Sequence, residues 1–137
     1  MSDHRASCRC GQLQAVASGD PARVSVCHCL NCQKRSGSAF AVQARWPGDK
    51  VALTGASKVF RKPGDSGNWA DFHFCPECGS DVYFQNGGAA VHPAVADSIA
   101  IPLGAFDDPK FATPQFSMFE NRKHQWLEIT GPGIHHD

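Results

Sequence analysis

Seven cysteines in three tight groups constrain this chain more than any other feature of its 137 residues. The groups read Cys8-Arg9-Cys10-Gly11, Cys27-His28-Cys29-Leu30-Asn31-Cys32 and Cys75-Pro76-Glu77-Cys78-Gly79. An odd number cannot all pair as disulfides within one chain, and neighbours at such short spacings bridge only in strained or redox-active loops. A lone C-x-x-C suits a thioredoxin-type redox pair, but the surrounding sequence lacks the βαβ context of that motif. Zinc accounts for the groups better. Zn²⁺ takes four tetrahedral ligands, with sulfur at about 2.3 Å, and a short Cys spacing supplies two of them from one turn.

Local chemistry divides the seven. Cys8/Cys10 and Cys75/Cys78 both end in Cys-Gly, and a glycine there lets the backbone turn tightly and aim N–H groups at sulfur. Each such knuckle is half a tetrahedron, and two of them close one Cys₄ site. That site joins the N-terminal segment to a point more than sixty residues further along the chain, as a structural staple. Cys27, Cys29 and Cys32 remain, three thiolates within six residues. No eighth Cys completes this second tetrahedron. Either the fourth position is open, as in catalytic zinc sites, or a residue such as His73, His92 or His124 closes it.

Composition narrows the class. Hydrophobic residues make up 42% and charged residues 19%, a globular balance in a chain long enough for one core. Lys+Arg and Asp+Glu are both 13, which argues against a nucleic-acid partner. With all seven cysteines ionised on two zinc ions, the domain carries about −3, which strengthens that exclusion. The segment from Met1 to Cys8 has no signal-peptide character, and no apolar run approaches the roughly 20 residues needed to cross a bilayer. A cytoplasmic protein without membrane contact is the expectation, and in that reducing setting clustered cysteines are metal ligands more often than disulfides.

Turn signals such as Gly19-Asp20-Pro21, Pro47-Gly48-Asp49 and Asn86-Gly87-Gly88 recur along the chain. Between them, strands are expected near Leu13–Ala17, Arg23–Val26, Phe40–Arg45, Val51–Thr54, Lys58–Arg61, Asp71–Phe74, Val82–Gln85, Ser98–Ile101 and His124–Ile129. The pattern predicts a mainly β, single zinc-stapled domain of short antiparallel strands over residues 1–130. One short turn of helix is expected after Cys32, a loop at Ala89–Asp97, and a loose tail at 131–137 with His135-His136 as a solvated end. Trp46, Trp69 and Trp126 read as packing residues. Phe72, Phe74 and Phe84 read as one sheet face, and Gly104 with Asp107-Asp108-Pro109 as a turn after a buried strand.

The three Cys motifs, with Ser36-Gly37-Ser38, Phe74-Cys75-Pro76-Glu77-Cys78-Gly79-Ser80, Gly104-Ala105-Phe106-Asp107-Asp108-Pro109 and Trp126, resemble the glutathione-dependent formaldehyde-activating enzyme family. Its domain is shared with centromere protein V. The resemblance runs from about Ala6 to Glu128 and implies a fold like the β-tent of Rab chaperones and methionine sulfoxide reductase B. It also implies a closed zinc at the outer pairs, an open zinc at the central three, and reversible joining of glutathione and formaldehyde as a carbon–sulfur lyase. One departure stands out: Pro114-Gln115-Phe116 occupies a stretch where family members often carry a His.

The residue chemistry agrees with a thiol reaction. Three thiolates on Zn²⁺ leave a net charge near −1, a weak Lewis acid that still binds a fourth thiol as thiolate. Zinc hydrolases more often use neutral His ligands. The expected catalytic group is therefore Cys27, Cys29 and Cys32. Lys34 and Arg35, with backbone N–H groups of Ser36, Gly37 and Ser38, are candidates to hold the carboxylates of glutathione, and a solvated basic turn is the competing reading. His28 is expected to point away from the metal. Small thiol and aldehyde substrates are the expected partners. A zinc-stabilised binding module with two structural sites, and a redox switch at the central cysteines, are the alternatives.

Overall fold

The computed structural model describes residues 2–93 and 95–137. Eleven strands form two sheets. In chain order they are β1 (Asp3–Ser7), β2 (Gln14–Ser18), β3 (Arg23–Cys27), β4 (Ala41–Pro47), β5 (Val51–Thr54), β6 (Lys58–Pro63), β7 (Trp69–Phe74), β8 (Asp81–Gly87), β9 (Ser98–Pro102), β10 (Phe116–Met118) and β11 (His135–His136). One helix, α1 (Leu30–Ser36), follows β3. The small sheet has the order β1-β2-β5, and the large one β11-β10-β3-β4-β9-β8-β7-β6. Among the described residues no helix is long and apolar enough to cross a membrane.

Alternation along the strands decides which face meets which sheet. On β4, Ala44 and Trp46 are buried while Gln43 and Arg45 are half-buried, so one face packs and the other stays accessible. Trp46, 1% exposed, fills the space between the sheets with Leu13, Ala15, Val82, Ile101 and Phe106, and its Nε1 donates to Gly19 O at 3.1 Å. The opposite face of the large sheet carries the site. There Cys27 lies opposite Ala41, Ser25 opposite Gln43, and Arg23 opposite Arg45.

The mainly β architecture agrees with the sequence expectation, and eight expected strands stand within a few residues of their places. Strands β1 and β10 are additions to the expected set, β10 pairs parallel with β3 and β11 where antiparallel strands are expected, and three further features differ. His124–Ile129 is not a strand: its backbone finds no sheet edge, Lys123 Nζ donates to Leu127 O at 2.9 Å, and Trp126 is left 73% exposed. The 131–137 tail is not loose, because His135 N–H donates to Gln115 O at 2.8 Å and Asp137 N–H to Ser117 O at 2.9 Å, which makes β11. The helix begins before Cys32, at Leu30. The Ala89–Asp97 segment consists of turns and coil, with Ala94 outside the described residues.

Candidate functional site

The Cys8/Cys10 knuckle ends the hairpin arm of the small sheet, and Cys75/Cys78 sits between β7 and β8 of the large one. Gly11 and Gly79 adopt φ of 86° and 77°, left-handed values that glycine takes without strain. Their N–H groups donate back to Cys8 O at 3.1 Å and Cys75 O at 2.8 Å. All four Sγ atoms lie within 4.8 Å of one another. Cys8–Cys10 and Cys10–Cys75 are separated by 3.6 and 3.7 Å, close to the roughly 3.8 Å tetrahedral edge that Zn–S bonds of about 2.3 Å require. The donor set therefore fits zinc. Gln12 Nε2 donates to Cys75 Sγ at 3.0 Å and Leu13 N–H to Cys8 Sγ at 3.3 Å, which orients the sulfurs. Ser80 holds the Cys78 thiol down to about 5 through its hydroxyl and then its backbone.

Cys27, Cys29 and Cys32 also bring their Sγ atoms within 4.8 Å of one another. Cys27 closes β3, Cys29 is the N-cap of α1, and Cys32 lies in its first turn, donating its N–H to Cys29 Sγ at 3.3 Å. A donated hydrogen bond from Cys27, then one from Cys29 and the nearby Arg35, lower the Cys32 thiol to about 5 against the opposing effect of burial. The same bond to Cys32, and then burial, push Cys27 upward. No fourth Cys, His, Asp or Glu ligand atom among the described residues joins the group. Of the candidates, His73 Nδ1 pairs with Ser57 Oγ at 2.9 Å, and His124 Nε2 with Gln33 Oε1 at 2.8 Å. His92 is likewise outside the group. His28 is fully buried, turned to Ser117 Oγ at 2.9 Å, and burial lowers its pKa.

Cys32 opens onto a cleft of about 280 Å³ whose walls include Arg35, Gln43, Lys62, Phe72 and Phe84. A neighbouring cleft of about 380 Å³ shares Arg35, Lys62 and Phe72 and adds Lys34 and Phe60. Phe72 and Phe84 pair across β7 and β8 with ring centroids 5.0 Å apart. Arg35 lies 5.0 Å from the Phe84 centroid and bridges to Asp81 at 2.8 Å. Burial raises the Asp81 pKa, against the pull of Arg35.

Residues 3–122 match the family model described as glutathione-dependent formaldehyde-activating enzyme. The chain belongs to that family. A crystal structure of a Rhodobacter sphaeroides protein has the same fold, with TM-score 0.52 and 18% identity, covering 80% of this chain and 91% of that chain. No curated protein matches the sequence.

Within this family member, the structure brings Cys27, Cys29 and Cys32 together and places Lys34 and Arg35 on adjoining cleft walls. The Ser36–Ser38 run is committed elsewhere. Gly37 N–H caps α1 on Gln33 O at 2.9 Å, Ser38 N–H donates to Ser36 Oγ at 3.3 Å, and Ser36 Oγ donates to Cys32 O at 2.8 Å. Two of the backbone donors expected to face a carboxylate thus terminate the helix instead. Gln43, Lys62 and Asp81 were not singled out by sequence. Gln43 reaches the site through the register of β4 against β3, which no local motif encodes.

Proposed function

We propose that this protein catalyses reversible adduct formation between a glutathione-like thiol and a small, formaldehyde-like aldehyde. Cys27, Cys29 and Cys32 would hold one zinc ion, and Cys8, Cys10, Cys75 and Cys78 would hold a second, structural one. The observation that carries the reading is the incomplete thiol group opening onto a cleft. A zinc ion held by these thiolates would lower the pKa of a substrate thiol while leaving its sulfur nucleophilic. Family membership supports the same chemistry, and a cytoplasmic setting keeps all seven thiols reduced.

The protein's own residues have three tasks. Cys29, as both N-cap and ligand donor, keeps the group in register with α1. Lys34 and Lys62, with Arg35 fixed between Asp81 and Phe84, put positive charge around the clefts and favour an anionic thiol. Phe72 and Phe84 shield one wall from water. In the addition, a sulfur lone pair forms the carbon–sulfur bond and the carbonyl π pair moves to oxygen. That oxygen takes up the proton the thiol lost, and no electrons are gained or lost overall.

Exchange NMR of glutathione with formaldehyde tests the proposal. The zinc-loaded protein should accelerate exchange between free and hydroxymethylated thiol, and Cys29→Ser should lose that acceleration while keeping its fold. Exchange at the uncatalysed rate with the wild-type protein would refute it.

A further inference from the structure

The thiol chemistry leaves Arg45 unexplained. Its side chain is half-buried, yet it forms no ion pair among the described residues, whereas Arg35 is matched by Asp81. Desolvation, and then repulsion from its cross-strand partner Arg23, push its pKa down to about 10. Nη1 donates to Asn86 Oδ1 at 3.2 Å and to Ser98 Oγ at 2.8 Å. Those two neutral acceptors orient the fork and the Phe84 ring centroid lies 5.6 Å from its Cζ, a weak cation–π contact, but no carboxylate offsets the charge. Nε and Nη2 make no hydrogen bond to the described residues. Such an arrangement leaves forked N–H donors available to an anion.

Arg45 lines, with Ser98 and Trp46, a cavity of about 450 Å³ that Asp49 and Asp97 also border. Both acids are exposed, and neither is in an ion pair with another described residue. A phosphate dianion would be repelled by them, whereas a carboxylate next to an ammonium suits both charge types. Position along β4 adds a second constraint. Ala41 faces Cys27, and Arg45 stands on the same face about 13 Å further along at about 3.3 Å per residue, of the order of an extended tripeptide's length. Gln43 lies between them on that face, and its Oε1 is buried without a hydrogen-bond partner.

We propose that this cavity binds the α-amino-acid head of the thiol substrate, with the carboxylate on the Arg45 fork and the ammonium toward Asp97 and Asp49. Gln43 Oε1 accepts a peptide N–H between that head and the sulfur. This deepens the thiol reading and rests on it only for which molecule carries the head.

Calorimetry on the metal-loaded full chain with S-methylglutathione tests it, because the blocked sulfur cannot bind as thiolate. The wild type should bind. Arg45→Gln should weaken binding at least about tenfold, the loss of a charged, forked contact. Arg45→Lys, which keeps the charge and loses the fork, should fall between. N-acetylation of the ligand should weaken binding about threefold or more, and Lys110→Gln controls for net charge. Absence of binding to the wild type, or equal affinity in Arg45→Gln, overturns the proposal. A merely structural Arg45 predicts a lower melting temperature for Arg45→Gln and the same ligand-induced rise in both proteins. The proposed site predicts a rise in the wild type alone. Arg45-dependent binding without accelerated adduct exchange would leave the head site standing and refute the thiol–aldehyde chemistry. Accelerated exchange with KM unchanged in Arg45→Gln would do the reverse.

Discussion

The two thiol clusters use the same donor atom but are assembled differently. Cys10 and Cys75 meet across 65 positions of sequence, one from each sheet's knuckle, whereas Cys27, Cys29 and Cys32 come from a single strand-to-helix junction. The long-range cluster therefore cannot form unless the two sheets are already in place. The short-range cluster needs only β3 and the first turn of α1. The difference teaches that one group ties the two sheets together, while the other is built within a single junction and depends on fewer distant contacts.

The largest expected effect separates them by mutation. Cys78→Ser should abolish cooperative unfolding in calorimetry, because structural zinc contributes about 10–16 kcal/mol in small peptides against a total stability of about 5–15 kcal/mol. Cys29→Ser should still melt cooperatively while one of two zinc equivalents disappears from elemental analysis. Equal damage by both would erase the distinction.

Next comes the ion pair between the helix that bears Cys32 and the strand following the Cys75/Cys78 knuckle. Arg35→Ala and Asp81→Asn each leave one poorly solvated charge without its partner and should each cost about 3 kcal/mol in denaturant titration. Because burial raises Asp81 above its usual range, the folded state holds the extra proton between the unfolded and folded pKa values. This group's contribution to stability therefore increases as pH falls through that window, and Asp81→Asn should remove that component of the pH profile. A cost below about 1 kcal/mol for both substitutions would contradict the pairing.

A smaller effect sharpens the comparison within one cluster. Gln12 bonds Cys75 Sγ, Ala56 O and Ala56 N at 3.0, 2.7 and 3.0 Å. Gln12→Ala should speed zinc transfer to a chelator from the four-thiol site by about tenfold and leave the three-thiol site unchanged. The smallest concerns the tail, which touches neither cluster. Glu120 is held below its usual pKa by His136 first and Ser117 second. Its stabilisation is present above the unfolded value of about 4.3 and is lost as pH falls through the lower folded value. Amide exchange at His135 and Asp137 should quicken over that range, and Glu120→Gln should remove the pH dependence.

Much of this arrangement was legible in the sequence because its signals are local. Cys-x-Cys-Gly and Cys-x-x-Cys-Gly encode the knuckles by themselves, and alternating segments between glycine turns encode β2 to β9. The rest depends on partners. Asp3–Ser7 has little β propensity and becomes β1 only by pairing with β2. Phe116–Met118 and His135–His136 are too short to show a period, and their parallel pairings join distant segments. His124–Ile129 carries strand-like residues with no edge to accept them. The neutralisation of Arg35 by Asp81, and its absence at Arg45, are invisible to composition because both residues count alike in a net charge of zero.

The spacing of the two clusters also sets an order of events on the ribosome. The three-thiol set is complete as soon as Cys32 has emerged, while the four-thiol set waits for Cys78, several seconds later at about 5–20 residues per second. During that interval Cys8 and Cys10 are exposed half-sites beside a finished one. The nascent chain thus completes its three-thiol group well before the four-thiol group can form, and if both groups hold zinc as proposed, the three-thiol group is able to take up metal first.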